Sequence, residues 1–562
     1  MAEYKLKAQT EAFWRDEYQV SEGDLDLITG HILEAGKPQP LEELAALIIK
    51  HYLQQEKEAV SRQLGGGRIY RPVDRYQVGE ELVFSVLDYA VGRVVDVRPG
   101  HNPKYGEFEV IKVAFDDGAQ EREFAAGFDH PHPLNRPVEE LLRQGREDLG
   151  EDDLVRMFEH YVAAKLEFAL QENKEFVQFD GRWFLQELLP EIHVGYLNLA
   201  EAVIYEAGRP VTAREMLQDL ELEATGSEEA QLFALNRALK EDERFDNVGT
   251  PDEPIWYLRA LEPAAVFERP FVHQVAFRAL GGEYIGLTML DLVEEIGDEL
   301  DDVETMIQRE LTEFRFEVNF PHLYAGTMPA VQQFLWRLPE KGSSHFPITL
   351  IDAGTDQRFE VWVVPAEKYI CGLEDWYASV GMYVGGQVTL AATEDPEVFT
   401  ISITPVRSRR SEWVRSASVN EGRLVLQMQR ATIPLRCDRN MLLDIPDRES
   451  ILELMRQANE GNMPLSELLL LAFEELAKLS SRGTVHAKSL YSVVNLFRRA
   501  GAVPIFAELT RSACFDPVGD GFWAYDPALR GKVYHTPEEM RERPLSSRGD
   551  LIKDQVIQYL GR

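Results

Sequence analysis

Two short words recur far apart in this chain, each in the same company. Glu34-Ala35-Gly36-Lys37-Pro38 returns as Glu206-Ala207-Gly208-Arg209-Pro210. Phe245-Asp246-Asn247-Val248-Gly249, followed by Trp256, returns as Phe515-Asp516-Pro517-Val518-Gly519, followed by Trp523. In the first word a glycine just past a helix end and a proline beyond it stop the helix. In the second, the aromatic anchors a hairpin wing and the glycine permits its turn. A chain of 562 residues is also too long for one core. The expected fold is therefore α+β and multi-domain: copies of one small helical module joined to β-rich modules, which points to binding rather than to a single enzymatic pocket.

The clearest copy lies within 195–265. A first helix covers Leu199 to Glu206, Thr212 caps a second with Glu215 three residues on, a third runs from about Ser227 to Arg244, and a wing spans Phe245 to Leu258. Gly208-Arg209-Pro210-Val211-Thr212 and the strand Trp256-Tyr257-Leu258 resemble the HARE-type winged helix-turn-helix family, which includes the N-terminal domain of the RNA polymerase delta subunit. Residues 448–530 read as a second copy, with helices at Arg448 to Glu460, Pro464 to Leu479 and Ala487 to Ala500 and a wing ending at Trp523. Residues 1–67 give two helices, a partial winged-helix-like module, and 138–194 a connector of one helix and the hairpin Phe176 to Phe184, which turns at Asp180-Gly181.

The period switches from helical to alternating at 68–137, where four strand-like runs lie between Tyr76 and Phe124. Val78-Gly79-Glu80-x-Leu82-Val83-Phe84, then Gly92-Arg93-Val94-Val95 and a last strand after Asp117-Gly118, resemble SH3-like, Tudor-like and KOW-like barrels and the polymerase-binding barrel of the CarD family. A second β-rich domain fills 346–447; Leu373-Glu374-Asp375-Trp376-Tyr377 followed by Val384-Gly385-Gly386-Gln387-Val388 resembles B3-like DNA-binding pseudobarrels, although the family's usual aspartate is absent. Residues 266–345 form an acidic helical connector, with an amphipathic helix over 286–310, and 531–562 a tail with a short helix.

Charge divides the functional readings. The formal net charge is -37, which spread evenly would repel nucleic acid. It is uneven: 291–304 holds eight acids and no base, whereas 405–440 holds eight arginines against three acids. Arg407, Arg409, Arg410 and Arg415, with Trp413 among them, are candidates for phosphate contact and base stacking. The competing reading docks these arginines on the chain's own acidic helix. Lys488, Arg498 and Arg499 make the last helix of the carboxy-terminal copy a candidate groove reader, whereas the corresponding helix of the middle copy is acidic and suits protein contact or packing.

No H-E-x-x-H, G-x-S-x-G, phosphate loop or paired CxxC occurs, and His130 and His132 have no acid or cysteine spaced to complete a metal site. The expectation is thus a non-enzymatic protein without cofactor or metal. Three dispersed cysteines and no apolar leader or span fit the cytoplasm without a membrane partner. Its partners would be DNA or the RNA polymerase and transcription complex. The alternative is a scaffold whose winged helices and acidic 291–304 helix bind proteins; a nucleic-acid hydrolase comes third, with no separate catalytic domain to support it.

Overall fold

A computed structural model describes residues 7–64, 68–84, 86–87, 90–115, 121–135, 150–220, 226–274, 276–301, 312–406, 411–541 and 556–558. The chain is mixed α and β, carries several separate sheets, and divides into two compact units: Met1–Tyr196 with Glu221–Ala238, and Leu197–Leu220 with Leu239–Arg562. Among the described residues, no helix is long and apolar enough to cross a membrane.

One order of elements occurs three times: helix, two-residue strand, helix, helix, hairpin. In the carboxy-terminal copy these are Leu465–Lys478, Val485–His486, Ala487–Val494, Ala502–Arg511, and the hairpin Phe515–Gly519 with Phe522–Tyr525. In the middle copy they are Val194–Ala207, Val211–Thr212, Ala213–Asp219, Glu228–Glu241, and Phe245–Asn247 with Ile255–Leu258. The third copy is amino-terminal: Glu22–Ala35, Gln39–Pro40, Leu41–Leu64, Glu151–Glu172, and Phe176–Phe179 with Arg182–Leu185. In all three the short strand pairs with the second hairpin strand, and the pairing centres on a buried tryptophan: Gln39 opposite Trp183, Val211 opposite Trp256, Val485 opposite Trp523. Across each hairpin the same tryptophan faces the residue two beyond the initial phenylalanine, namely Gln178, Asn247 and Pro517.

The recurring sequence words do identical local work. Gly36 and Gly208 end their helices in left-handed backbone, at φ 62° and 60°, and each donates its N–H to the carbonyl four residues back at 2.9 Å. Thr212 accepts a hydrogen bond from the Glu215 N–H at 3.2 Å, as its position before the second helix requires.

Between the second and third helices of the amino-terminal copy the chain leaves to build a five-stranded sheet, in the order 68–69, 81–84, 90–102, 106–115, 121–126. It wraps a core of Tyr70, Tyr76, Leu82, Phe84, Val94, Ile111 and Val113. The segment after its first strand bonds the end of its last, through Gly127 N–H to Asp74 O and Phe128 N–H to Pro72 O, both 2.8 Å. The sequence reading kept 1–67 and 138–194 apart; the Gln39–Trp183 pairing and the packing of helix Leu41–Leu64 along Glu151–Glu172 join them into one body around this insertion. Lys165 on the latter helix donates to the carbonyls of Trp14, Arg15 and Tyr18 at 2.8–2.9 Å, fixing 14–18 to it.

The boundary between the two units passes through helix Glu228–Glu241 of the middle copy. Within the first unit, Phe233 of that helix lies 6.0 Å from both Phe179 and Phe184 of the amino-terminal hairpin. Packing, one of the two roles expected for this acidic helix, is therefore what its apolar face does.

In the second unit a seven-stranded, nearly closed barrel-like sheet has the order 313–317, 387–392, 398–403, 346–352, 358–364, 369–371, 327–329. The four strands expected between 346 and 403 are present; those at 313–317, 327–329 and 369–371 were not anticipated. A long hairpin, Glu412–Asn420 with Arg423–Ala431, follows.

Candidate functional site

The acidic segment is a solvated helix only as far as Ile296, with Asp291, Glu294 and Glu295 exposed. Helix Leu287–Ile296 stops at Gly297, whose φ of 68° turns the chain, so that Asp298, Glu299 and Asp301 point inward and are buried. The expectation that Asp298 and Asp301 would be solvated is corrected, and Asp302 lies outside the described residues. Ile296 and Leu300 are buried as expected, and Leu292 is half-buried.

What lets carboxylates be buried is a set of cations and N–H groups also drawn from the interior. Arg499, 1% exposed, grips both oxygens of Asp298 at 2.6 and 2.7 Å and reaches Glu299 at 2.8 Å. Asp301 accepts from the Ala502 and Val503 N–H groups at 2.6 and 2.9 Å, capping helix Ala502–Arg511 where its dipole favours negative charge. Burial presses Glu299 toward its neutral form, but Arg499 and His322 outweigh it and hold the carboxyl well below the ordinary range.

Three other cations assigned to nucleic acid are likewise engaged. Lys488 is buried against Glu295 at 2.6 Å and Glu317 and Asp438 at 3.1 Å. Arg498 donates to Asn459 Oδ1 at 2.7 Å and Ala458 O at 2.8 Å, closing the carboxyl end of helix Arg448–Glu460. Arg415 donates to Ser489 Oγ and to the carbonyls of Arg439, Asn440 and Leu442, and burial pushes its guanidinium down to about 10. The groove-reading role expected for Lys488, Arg498 and Arg499 is therefore corrected. The reason is partly a boundary: the run read as one helix to Ala500 ends at Val494, so Lys488 belongs to the second helix, Arg498 to the turn after it and Arg499 to the short strand Arg499–Ala500. The third helix is Ala502–Arg511, which is almost wholly buried.

Arg407, Arg409 and Arg410 lie outside the described residues. Trp413 is 61% exposed, and the Arg430 guanidinium, opposite it across the hairpin, sits 5.3 Å from its ring centre. Arg423, Arg436 and Arg439 are also exposed. Trp413, with Arg430 beside it, is thus the assigned stacking residue that remains accessible among the described residues, while Arg423 lies at the other end of the hairpin.

Two histidine clusters escaped the sequence reading. In the first, Thr327 Oγ1 lies 2.8 Å from His322 Nδ1 and 3.0 Å from His273 Nε2, and His322 Nε2 lies 3.0 Å from Glu299. The hydroxyl–imidazole–carboxylate order is that of an activated nucleophile. Thr327 and His322 are fully buried, however, so no substrate carbonyl reaches the hydroxyl; burial also pushes His273 far down and keeps it neutral. The cluster satisfies the buried ion pair. In the second, His345 Nε2 lies 2.6 Å from Glu262 Oε2 and 3.5 Å from Asp246 Oδ2. Burial presses the imidazole down, but the two carboxylates prevail and lift it to about 9. His130, by contrast, is exposed and bonded to Tyr105 O at 2.8 Å. Only Asp246, inside a repeated word, carried any sequence signal.

On the amino-terminal copy's third helix, Met157, Tyr161, Ala164 and Phe168 recur at helical spacing along one stripe, with Met157 49% and Phe168 64% exposed. Glu151, Asp152, Glu159, Glu167 and Glu172 lie on the same helix. Compared with protein-family models, curated proteins and solved structures, the chain matches none.

Proposed function

We propose that this chain is a protein-interaction scaffold built on three winged-helix repeats, with a small SH3-like barrel inserted in the first and a pseudobarrel-like sheet ahead of the last. The repeated order of elements, with the short strand paired to the second hairpin strand, supports the winged-helix reading. The observation that carries the function is the state of the three third helices, the elements that read a groove in DNA-binding relatives of this fold. The carboxy-terminal one is buried, the middle one is acidic and packed through Phe233, and the amino-terminal one offers an apolar stripe on a helix that carries six acids against Arg156 and Lys165. Such a stripe suits a protein partner with an apolar and basic face, not a phosphate backbone.

A second reading keeps nucleic acid as a partner at the Trp413–Arg430 hairpin end, where an exposed indole is available to stack a base. Fluorescence anisotropy with duplex and single-stranded probes at low and moderate salt separates the two. The scaffold reading expects no binding at low salt. It also expects that Met157→Glu with Phe168→Glu abolishes cross-linking to partner proteins in source-cell extract. Salt-sensitive binding lost in Trp413→Ala, with unchanged cross-linking in the double variant, would overturn it.

A further inference from the structure

We propose that Asp246, Glu262 and His345 form a divalent transition-metal site, with zinc as the best-fitting ion, that clips the middle repeat to the seven-stranded sheet. The three residues come from separate places in the second unit. Asp246 sits in the first hairpin strand of the repeat, Glu262 just beyond the second, and His345 immediately before the strand Phe346–Asp352. Their ligand atoms all lie within 4.8 Å of one another. Donors around a tetrahedral zinc ion with bonds of about 2.0–2.1 Å are roughly 3.3 Å apart. The separations here, 2.6 and 3.5 Å from the imidazole nitrogen, bracket that value.

Two further observations point to a ligand. Glu262 is more than nine-tenths buried, yet its Oε1 has no hydrogen-bond partner, while the buried Asp246 Oδ2 is held only by ion pairs at 3.5 Å, to His345 and Arg259. A buried carboxylate oxygen left unpaired is costly, and an ion would satisfy it. His345 is also set up as a ligand. Ser344 Oγ lies 3.3 Å from its Nδ1, placed to accept a hydrogen bond from Nδ1–H when Nε2 gives up its own proton to bind a metal, and Phe267 and Trp362 hold the ring at 5.2 and 5.9 Å. One imidazole with two carboxylates favours zinc, manganese or iron over magnesium or calcium. Arg259, 3.5 Å from Asp246, borders the site and tempers its affinity.

The test uses the full chain, stripped with a chelator and titrated with zinc by calorimetry, with metal content measured after dialysis. One equivalent is expected, with a zinc-dependent rise in melting temperature. Glu262→Gln and Asp246→Asn, close in shape to the originals, should each weaken binding by more than about tenfold. Cobalt(II) on the unsubstituted protein should give the intense visible absorption of a tetrahedral centre, a readout that needs no variant to fold. Absence of zinc uptake by the intact chain, a weak octahedral cobalt spectrum, or unchanged affinity in both variants would overturn the proposal.

Discussion

Replacing Arg499 by methionine tests whether the acidic segment is an internal clamp or a surface. The substitution keeps length and apolar stem but deletes the guanidinium. Asp298 then loses both of its short charge-assisted bonds and Glu299 loses one, while Asn495 Oδ1 and Ala500 O lose weaker ones at 3.2 and 3.1 Å. Asp298 is left in the interior with only neutral donors, Tyr491 and the Leu300 N–H, and Glu299 with only His322. Breaking a buried pair in this way costs about 3–5 kcal/mol, a large share of the ~5–15 kcal/mol that holds a domain together. Urea denaturation followed by tryptophan fluorescence should show the transition containing Trp523 moving to much lower denaturant, with hydrogen exchange accelerated in 502–511. Adding Asp298→Asn and Glu299→Gln to Arg499→Met should recover most of the loss, because neutral amides need no counter-charge. A single variant destabilised by less than about 1 kcal/mol, or a triple variant no better than the single, would refute the clamp.

Trp523→Ala, Trp256→Ala and Trp183→Ala each remove the residue on which a short strand and a hairpin meet, and each should cost roughly 3–5 kcal/mol in thermal or chemical melts. Gly36→Ala and Gly208→Ala force a Cβ into left-handed backbone and should each cost about 1–2 kcal/mol, by equal amounts if the two words do the same work. His486 is pushed down to about 4 by burial, against an ordinary value near 6.5. The folded chain therefore binds fewer protons than the unfolded one between these values. Its contribution, roughly 3 kcal/mol, is complete at neutral pH and lost as pH falls from about 6.5 to about 4. Melts of His486→Asn across that range should show a correspondingly flatter acid limb. Trp413→Ala, at an exposed site, should leave the melting temperature unchanged within the error of the measurement.

The local part of this fold was legible in sequence because glycine conformations and aromatic anchors are local facts. Gly36, Gly208, Thr212, Phe245 and Phe515 announce helix ends, caps and wings within a few residues. The hairpin around Trp183 was read as a hairpin but not as a third copy, since its Phe-Val-Gln-Phe run lacks the aspartate of the other two and its first helix lies more than a hundred residues upstream. The charge pairing was illegible for a different reason. Arg499 and Asp298 are 201 positions apart, and nothing in either neighbourhood distinguishes a cation destined for the interior from one destined for phosphate. Lys488 and Arg498 misled in the same way. Helix Ala487–Val494 supplied the wrong frame, because the alternation that continues to Ala500 does not reveal the turn before Gly501.

The insertion within the amino-terminal repeat has a consequence for how the chain is made. Gln39 must wait for Trp183 before its strand has a partner, a gap of about 140 residues. At synthesis rates of about 5–20 residues per second that is roughly 7 to 30 seconds. For most of this interval, until Glu151–Glu172 is made, Leu44, Ile48 and Ile49, all fully buried in the finished protein, have no third helix to cover them. The five-stranded sheet of 68–126 closes with Gly127, Phe128 and Asn135, all made before Glu151–Glu172, and so completes first. Residues 22–64 are thus made before the inserted sheet but enclosed after it, and a holdase that shields apolar helix faces would act most usefully on 22–64 of the nascent chain.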